Sequence, residues 1–253
     1  FGSTRACEVM FGNVDLTLGG AVEPLLEQHL EASGGRFRGV RLSSGWHPDD
    51  KVGNVAAQAH LLIDPRVREA IAVLSRLGMS LDCWLYHPQL DEVAQIADAY
   101  PDLTIILNHV GTPILGGPYR GKAGEVFKEW KASIGDVSKR DNVFMKLGAL
   151  PIRMPGYTGD RSLPPGSAEV ATAWRPWLET CIEAFGPARS MYESNLSLHM
   201  MTKTVLAVNT LKSNNLIRNY NTNVHEKTNI NDLIFSSYPL ITKSGFYNNY
   251  DFI

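Results

Sequence analysis

Residues 104–113, Thr-Ile-Ile-Leu-Asn-His-Val-Gly-Thr-Pro, decide the fold prediction for this chain. An apolar, β-branched run that ends at once in Gly and Pro is typical of a buried parallel strand. Asn108 and His109 close the run, and polar groups at the carboxyl end of such a strand lie at the mouth of an α/β barrel or sheet. A neutral imidazole there can bind a metal, accept a proton or polarise a carbonyl. His109 is therefore the first candidate site residue.

Strand and helix patterns alternate on both sides of this segment. The predicted strands cover residues 6–11, 37–42, 80–86, 103–108, 142–147 and 189–193, and the predicted helices cover 20–33, 64–78, 89–100, 126–134 and 168–185. Within the second helix, Asp64 is expected to cap the first turn and Pro65 to occupy it. The alternation predicts an α/β fold with a parallel sheet and helices outside it.

Composition narrows the class of protein further. The chain has 253 residues, of which 44% are hydrophobic, and a formal net charge of −2, which suits one α/β barrel domain. The near-neutral charge gives no electrostatic footprint for nucleic acid or for an anionic membrane. Three widely spaced cysteines, and no apolar run long enough for a membrane span or a signal peptide, predict a reducing, cytoplasmic location. Since the chain starts at Phe1, we expect its natural N-terminus to lie upstream.

Two segments stand apart from the alternation. Residues 151–166 are rich in Gly and Pro and too long for a plain turn, so we interpret them as a lid over the mouth. Residues 196–253 hold ten asparagines and one glycine, whereas residues 1–195 hold 21 of the 22 glycines. We predict a domain boundary at residue 195. The composition of the Asn-rich tail is typical of AT-rich DNA translated after a frameshift, from an unspliced intron or through a gene-model error. A linker or a prion-like segment would have a similar composition.

An ordered set of short motifs resembles one known family. The motifs are VDLTLG at 14–19, RFRGVR at 36–41, WLYHPQL at 84–90, LNHVG at 107–111, VFMKLG at 143–148, and FGP at 185–187 with MYESN at 191–195. Together they resemble the amidohydrolase-related (amidohydrolase 2) family of metal-dependent hydrolases, which includes sugar lactonases and dicarboxylate lactonases. The resemblance covers most of residues 5–195. It implies a (β/α)8 TIM-barrel fold that is incomplete here, with the third to the eighth family strands present.

The resemblance also implies an activity, from which the chain departs at two points. The family hydrolyses lactones or similar cyclic esters of small carboxylated compounds with a divalent metal, most often zinc. The family's first strand carries a His-x-His metal pair that occurs nowhere in this chain. The Asp that follows the family's eighth strand is also missing, because Ser194 and Asn195 run into an unrelated sequence. Two hypotheses therefore stay open: a lactonase-like hydrolase, and an inactive fragment that acts at most as a binding scaffold. Oligomerisation is compatible with both.

By resemblance, His109 contacts the metal or the substrate carbonyl, and it is the one tentative metal ligand. Tyr86 and His87 end the preceding predicted strand and are predicted to reach the substrate, with helix capping and loop packing as the alternative. Arg41 is predicted to bind a substrate carboxylate or lactone oxygen, with an ion pair to Asp82 or another acid as the alternative.

The other polar candidates are less specific. Lys146 is a candidate for substrate binding or an internal salt bridge. Glu193 and Asn195 could join the site, although the altered sequence beyond them argues against it. Two tryptophans, Trp174 and Trp177, are expected to pack on the barrel, while three histidines, His29, His47 and His60, are expected at the surface.

Overall fold

The computed structural model describes residues 8–148 and 167–193. Within them, six strands form one parallel sheet in sequence order, each hydrogen-bonded to the next. They are β1 (Met10–Gly12), β2 (Phe37–Ser43), β3 (Ser80–Trp84), β4 (Ile105–Leu107), β5 (Val143–Leu147) and β6 (Ser190–Tyr192). The sheet curls into part of a barrel with helices outside it, so the predicted fold class, an incomplete α/β barrel, is confirmed.

The described helices connect these strands on the outside of the sheet. They are α1 (Glu23–Ala32), α2 (Pro65–Arg76), α3 (Leu90–Ala99), α4 (Ala123–Val137) and α5 (Ser167–Phe185). Short 3-10 turns cover Leu16–Val22, Leu61–Ile63, His87–Gln89, His109–Gly111, Gly117–Tyr119 and Pro187–Arg189. The predicted cap of α2 is confirmed, because the Asp64 carboxylate accepts a hydrogen bond of 2.9 Å from the Arg66 amide. β3 ends at Trp84, two residues before the predicted end at residue 86. The 3-10 turn His87–Gln89, which contains Pro88, follows.

Side chains alternate between the two faces of the sheet. The face toward the helices is apolar and belongs to the main core, with Val40, Leu42, Leu81, Cys83, Ile105, Leu107, Val143 and Met145. Trp174 and Trp177 join this core from α5, as predicted. Because strand side chains alternate with a period of two, Arg41, Asp82 and Lys146 lie on the opposite face, inside the curl. The barrel interior is therefore charged where many barrels are apolar.

One surface prediction is wrong. His47 is buried, with 9% of its surface exposed, because its Nδ1 accepts a hydrogen bond from the Asp49 amide and its Nε2 lies 3.1 Å from the Tyr119 hydroxyl. The proposed lid at 151–166, the boundary at residue 195 with Asn195 itself, and the tail at 196–253 lie outside the described residues. In the described part of the chain, no helix is long and apolar enough to cross a membrane.

Substitutions at two separate glycines, Gly39 and Gly135, test how closely β2 and β3 approach each other. A Cβ added at Gly39 would overlap the Ser80 carbonyl oxygen, whereas Gly135 in α4 has open space around its Cα. We expect Gly39→Ala to lower the free energy of unfolding by about 2 kcal/mol or more, since the backbone must move to make room. Gly135→Ala should raise it by up to about 1 kcal/mol, because alanine favours helix. Urea unfolding of both variants checks this, and equal midpoints would contradict the close approach.

Candidate functional site

The Asp82 carboxylate on β3 forms ion pairs with two positively charged side chains inside the barrel. Its carboxylate is 1% exposed. Arg41 on β2 donates to it from Nε to Oδ1 and from Nη2 to Oδ2, both at 3.1 Å. Lys146 on β5 donates from Nζ to Oδ2 at 2.5 Å. A buried carboxylate is stable only with close partners of this kind, so Asp82 fixes the positions of both cations.

Asn108 completes the cluster from the end of β4. Its side-chain Nδ2 donates to Asp82 Oδ1, and its Oδ1 accepts from Arg41 Nη2 at 3.4 Å. The side chain is fully buried. For Arg41 and Lys146 the sequence left two alternatives open, substrate binding and an internal ion pair. In the structure both residues are ion-paired with Asp82, and both lie near the carboxyl ends of their strands.

His109 and Glu193 form a second buried pair beside the Asp82 cluster. Nδ1 of His109 is hydrogen-bonded to Oε1 of Glu193, the residue that follows β6. Burial acts to raise the pKa of Glu193, but His109, Lys146 and Arg41 outweigh it and hold the pKa below its ordinary range. Glu193 is therefore ionised at neutral pH, and the positive charges of Arg41 and Lys146, which pair with Asp82, also stabilise its negative charge.

The backbone that carries His109 has an uncommon conformation. His109, Val110, Gly111 and Thr112 have φ values of 54°, 50°, 69° and 41° in succession. A β-branched residue at positive φ is strained, at about 1–3 kcal/mol for each such residue. Trp130 of α4 supports the turn, because its indole Nε1 donates to the Val110 carbonyl at 2.7 Å. Strain held in place by its surroundings is a feature of functional sites.

Tyr86 and His87 make their described contacts in a different cluster. The Tyr86 hydroxyl donates to the Gly53 carbonyl at 2.8 Å. His87 Nδ1 accepts from the Ile114 amide at 3.3 Å, and its ring packs edge-on against Tyr119. Burial, and then His47, lowers the pKa of His87 to about 4, so its imidazole is neutral at neutral pH.

The structure thus brings together three of the five predicted site residues, Arg41, Lys146 and His109, through two carboxylates. From the sequence alone, Asp82 is predicted only as a possible partner of Arg41, and the altered sequence after Asn195 argues against a role for Glu193. A sequence signal existed for Asp82, which is a lone acid in the apolar strand Leu81–Trp84. The signal for Glu193 was its position at the end of the last predicted strand.

A zinc site of protein ligands needs about three side chains. Among the residues that the structure describes, no three His, Cys, Asp or Glu side chains are grouped so that they could hold a metal ion. The described donors therefore do not fit a resident zinc ion by themselves. His109 as a metal ligand stays a prediction.

A curled parallel sheet with charged strand ends places this chain in the class of α/β-barrel proteins. A family model described as "Amidohydrolase" matches residues 4–245, and the chain belongs to that family. The match runs past residue 195 into the Asn-rich segment. The uncharacterized protein y4mH of Sinorhizobium fredii (strain NBRC 101917 / NGR234) is 27% identical over 187 residues, which is 74% of this chain and 56% of that protein. The chain thus spans little more than half of that relative.

Solved structures support the fold. An amidohydrolase from Burkholderia multivorans with bound zinc is 19% identical, with a TM-score of 0.62 over 84% of this chain and 73% of that one. A probable 2-pyrone-4,6-dicarboxylic acid hydrolase from Acinetobacter baumannii with bound citric acid is 13% identical. Its TM-score is 0.51 over 88% of this chain and 68% of that one. At these identities the likeness shows the barrel fold.

Asp82→Asn should destabilise the protein because it leaves Arg41 and Lys146 without their shared countercharge. We expect a loss of about 3 kcal/mol in the free energy of unfolding, near the lower end for a broken buried pair, since 38% of the Arg41 side chain is exposed. Asp98→Asn is the matched control, because it removes an exposed carboxylate that pairs with Arg140. Equal losses in urea unfolding would contradict a special role for Asp82.

His87 should make stability depend on pH. In the unfolded chain its imidazole takes up a proton near pH 6.5, roughly, but in the folded state only near 4. As pH falls through this window the unfolded state binds the extra proton, and the folded state loses up to about 3 kcal/mol. His87→Asn keeps an acceptor near the Ile114 amide and should flatten this part of the profile. The exposed His29→Asn should not, and a wild-type slope in His87→Asn would refute the assignment.

Proposed function

We propose that this chain carries the substrate-binding and carbonyl-activating part of an amidohydrolase-type hydrolase. The reaction would open a lactone or similar cyclic ester of a small carboxylated compound. One observation carries the proposal: the His109–Glu193 pair lies beside Arg41 and Lys146, the cations held by Asp82. Catalytic groups of α/β barrels collect at the carboxyl ends of their strands, where these residues lie.

Arg41 is the proposed anchor for the substrate carboxylate. Asp82 holds its guanidinium through Nε and Nη2, while 38% of the side chain is exposed. A fixed guanidinium matches two carboxylate oxygens, and it loses little entropy when it binds them. Lys146 would add a second positive charge close by, and its side chain is 13% exposed.

His109 is the proposed catalytic residue, acting on the scissile carbonyl or on the water that attacks it. Tyr86 and His87 stay in the proposal as groups that contact substrate, since they follow β3 at the same end of the sheet as His109 follows β4. A divalent metal, as in the zinc-bound Burkholderia multivorans structure, would supply an activated water and a Lewis acid. A cytoplasmic location and an oligomeric state are part of the same proposal.

A non-catalytic binding scaffold is the second candidate. The observation that favours it is the charge balance of the cluster, because Asp82 and Glu193 already neutralise Arg41 and Lys146. Such a site would bind a small carboxylated compound whose carboxylate takes the place of Asp82 as a partner of the two positive side chains, and it would not turn the compound over.

Hydrolysis of a panel of lactones, half of them carrying a carboxylate, separates the two candidates. We expect turnover that favours the carboxylated members and falls by about 100-fold or more in His109→Gln, the typical effect of losing a general acid or base. Arg41→Gln should mainly raise KM for carboxylated lactones.

Each preparation is assayed after chelation and again with added zinc, and the exposed His29→Gln serves as the control. Binding of carboxylated lactones by calorimetry with no turnover above the His109→Gln background would favour the scaffold. Loss of activity in the control as severe as in His109→Gln would contradict the catalytic assignment.

A further inference from the structure

Three loops at the carboxyl ends of the strands meet at the ring of Tyr119. His47 comes from the loop after β2, His87 from the turn after β3, and Tyr119 from the loop between β4 and α4. The Tyr119 ring packs edge-on against both imidazoles, with its centroid 5.6 Å from that of His47 and 5.1 Å from that of His87. Together the three residues form the Tyr119 junction, which joins neighbouring loops around the barrel mouth.

Backbone amides fix the protonation of both imidazoles in this arrangement. The Asp49 amide donates to Nδ1 of His47 at 3.0 Å, and the Ile114 amide donates to Nδ1 of His87 at 3.3 Å. A backbone N–H is only a donor, so both Nδ1 atoms must be unprotonated acceptors. A neutral ring then carries its hydrogen on Nε2, and Nε2 of His47 donates to the Tyr119 hydroxyl oxygen at 3.1 Å. These hydrogen bonds exist together only while both imidazoles are neutral.

We propose that the Tyr119 junction is an acid-sensitive latch, which holds the three loops together while His47 and His87 are neutral and releases them when the rings take up protons. A protonated imidazole has an N–H at each nitrogen and no acceptor. Its Nδ1–H would face the N–H of Asp49 or Ile114, and that amide would lose its hydrogen bond. The inference goes beyond the proposed function and does not depend on it.

Burial of the two histidines adds to the effect of the amides. His47 is 9% exposed and His87 is 4% exposed, so a positive charge on either ring is poorly hydrated while the loops are closed. Burial, and then the charge of His47, lowers the pKa of His87, in agreement with the geometry. Release of the loops brings the rings into water, where a charge on them is well hydrated. Acid therefore favours the released state.

The other titratable groups around the junction act on it weakly. Glu125 and Glu129 of α4 favour a positive charge on His47 across a cavity of about 240 Å3, and Lys122, which also lines the cavity, opposes it. All three side chains are exposed, so water and salt screen their effect.

Two more titratable groups belong to the loops themselves. The Asp49 carboxylate accepts a hydrogen bond of 2.9 Å from the Lys51 amide. Tyr119 stays protonated over the whole acid range, because burial raises its pKa. The acid response is therefore assigned to His47 and His87.

Hydrogen exchange followed by mass spectrometry, corrected for the pH dependence of the unfolded chain, tests the latch without any need for turnover. The informative peptides, here the mouth peptides, contain the Asp49 and Ile114 amides. We expect their protection to fall by roughly 50-fold or more between about pH 7 and about pH 4.5. The size follows from His87, whose imidazole takes up a proton near pH 6.5, roughly, when released but only near 4 in the closed junction.

Urea separates release of the latch from unfolding of the whole protein. Local opening exposes little surface, so exchange of the mouth peptides should not respond to low concentrations of urea at either pH. Exchange of α2, which packs in the main core, should accelerate with urea. Mouth peptides with the same protection and the same urea response as α2 would overturn the proposal.

Asparagine variants remove the titration and keep an acceptor close to the position of Nδ1. His87→Asn should abolish most of the acid response of the Ile114 peptide, and His47→Asn most of that of the Asp49 peptide. The double variant should show almost none. The exposed His29→Asn is the matched control and should keep the full response.

Tyr119→Phe tests whether the junction joins the loops, because it removes the hydrogen bond from His47 and leaves both titrating rings in place. Both mouth peptides should lose protection together at neutral pH. An acid response of unmodified size in the double asparagine variant would overturn the latch, as would loss of protection in only one peptide of Tyr119→Phe. If the double variant does not fold, the two single variants decide.

Discussion

The buried Asp82 carboxylate is the constraint on which the rest of the site depends. It accepts hydrogen bonds from Arg41 on β2, from Asn108 after β4 and from Lys146 on β5, so one side chain joins four neighbouring segments of the sheet. Burial of an acid is costly unless its partners are close and well oriented. The apolar face of the strands packs against the helices. On the inner face, Asp82 accepts the hydrogen bonds that hold the neighbouring polar side chains in place. Arg41 and Lys146 have defined positions because of it.

Two of the three buried histidines in the described part of the chain show how surroundings differ for one residue type. His87 accepts an amide hydrogen from Ile114 and stays neutral, because burial opposes its charge. His109 instead lies against the carboxylate of Glu193, whose pKa is held below its ordinary range. One residue type thus has a backbone amide as its partner in one place and a charged carboxylate in the other.

Much of the fold could be predicted from sequence because its signals are local. The apolar runs at residues 80–84 and 105–107, and the Asp64 cap, depend on neighbours a few residues away. Candidates such as His109 could be found because strand ends are identifiable. Their partners could not: Glu193 is 84 positions from His109, and only the curl of the sheet brings them together. The burial of His47 could not be predicted for the same reason, since Tyr119, which helps to bury it, is 72 positions away.

The left-handed turn after β4 links the interior of the barrel to its outer layer. Four successive residues at positive φ are not a conformation that an isolated peptide would keep, and the Trp130 indole that supports them comes from α4, on the far side of the sheet wall. The position of His109 therefore depends on the packing of α4 as well as on β4. The outer helical layer is therefore part of what shapes the site, and a change in the packing of α4 would be felt at the imidazole.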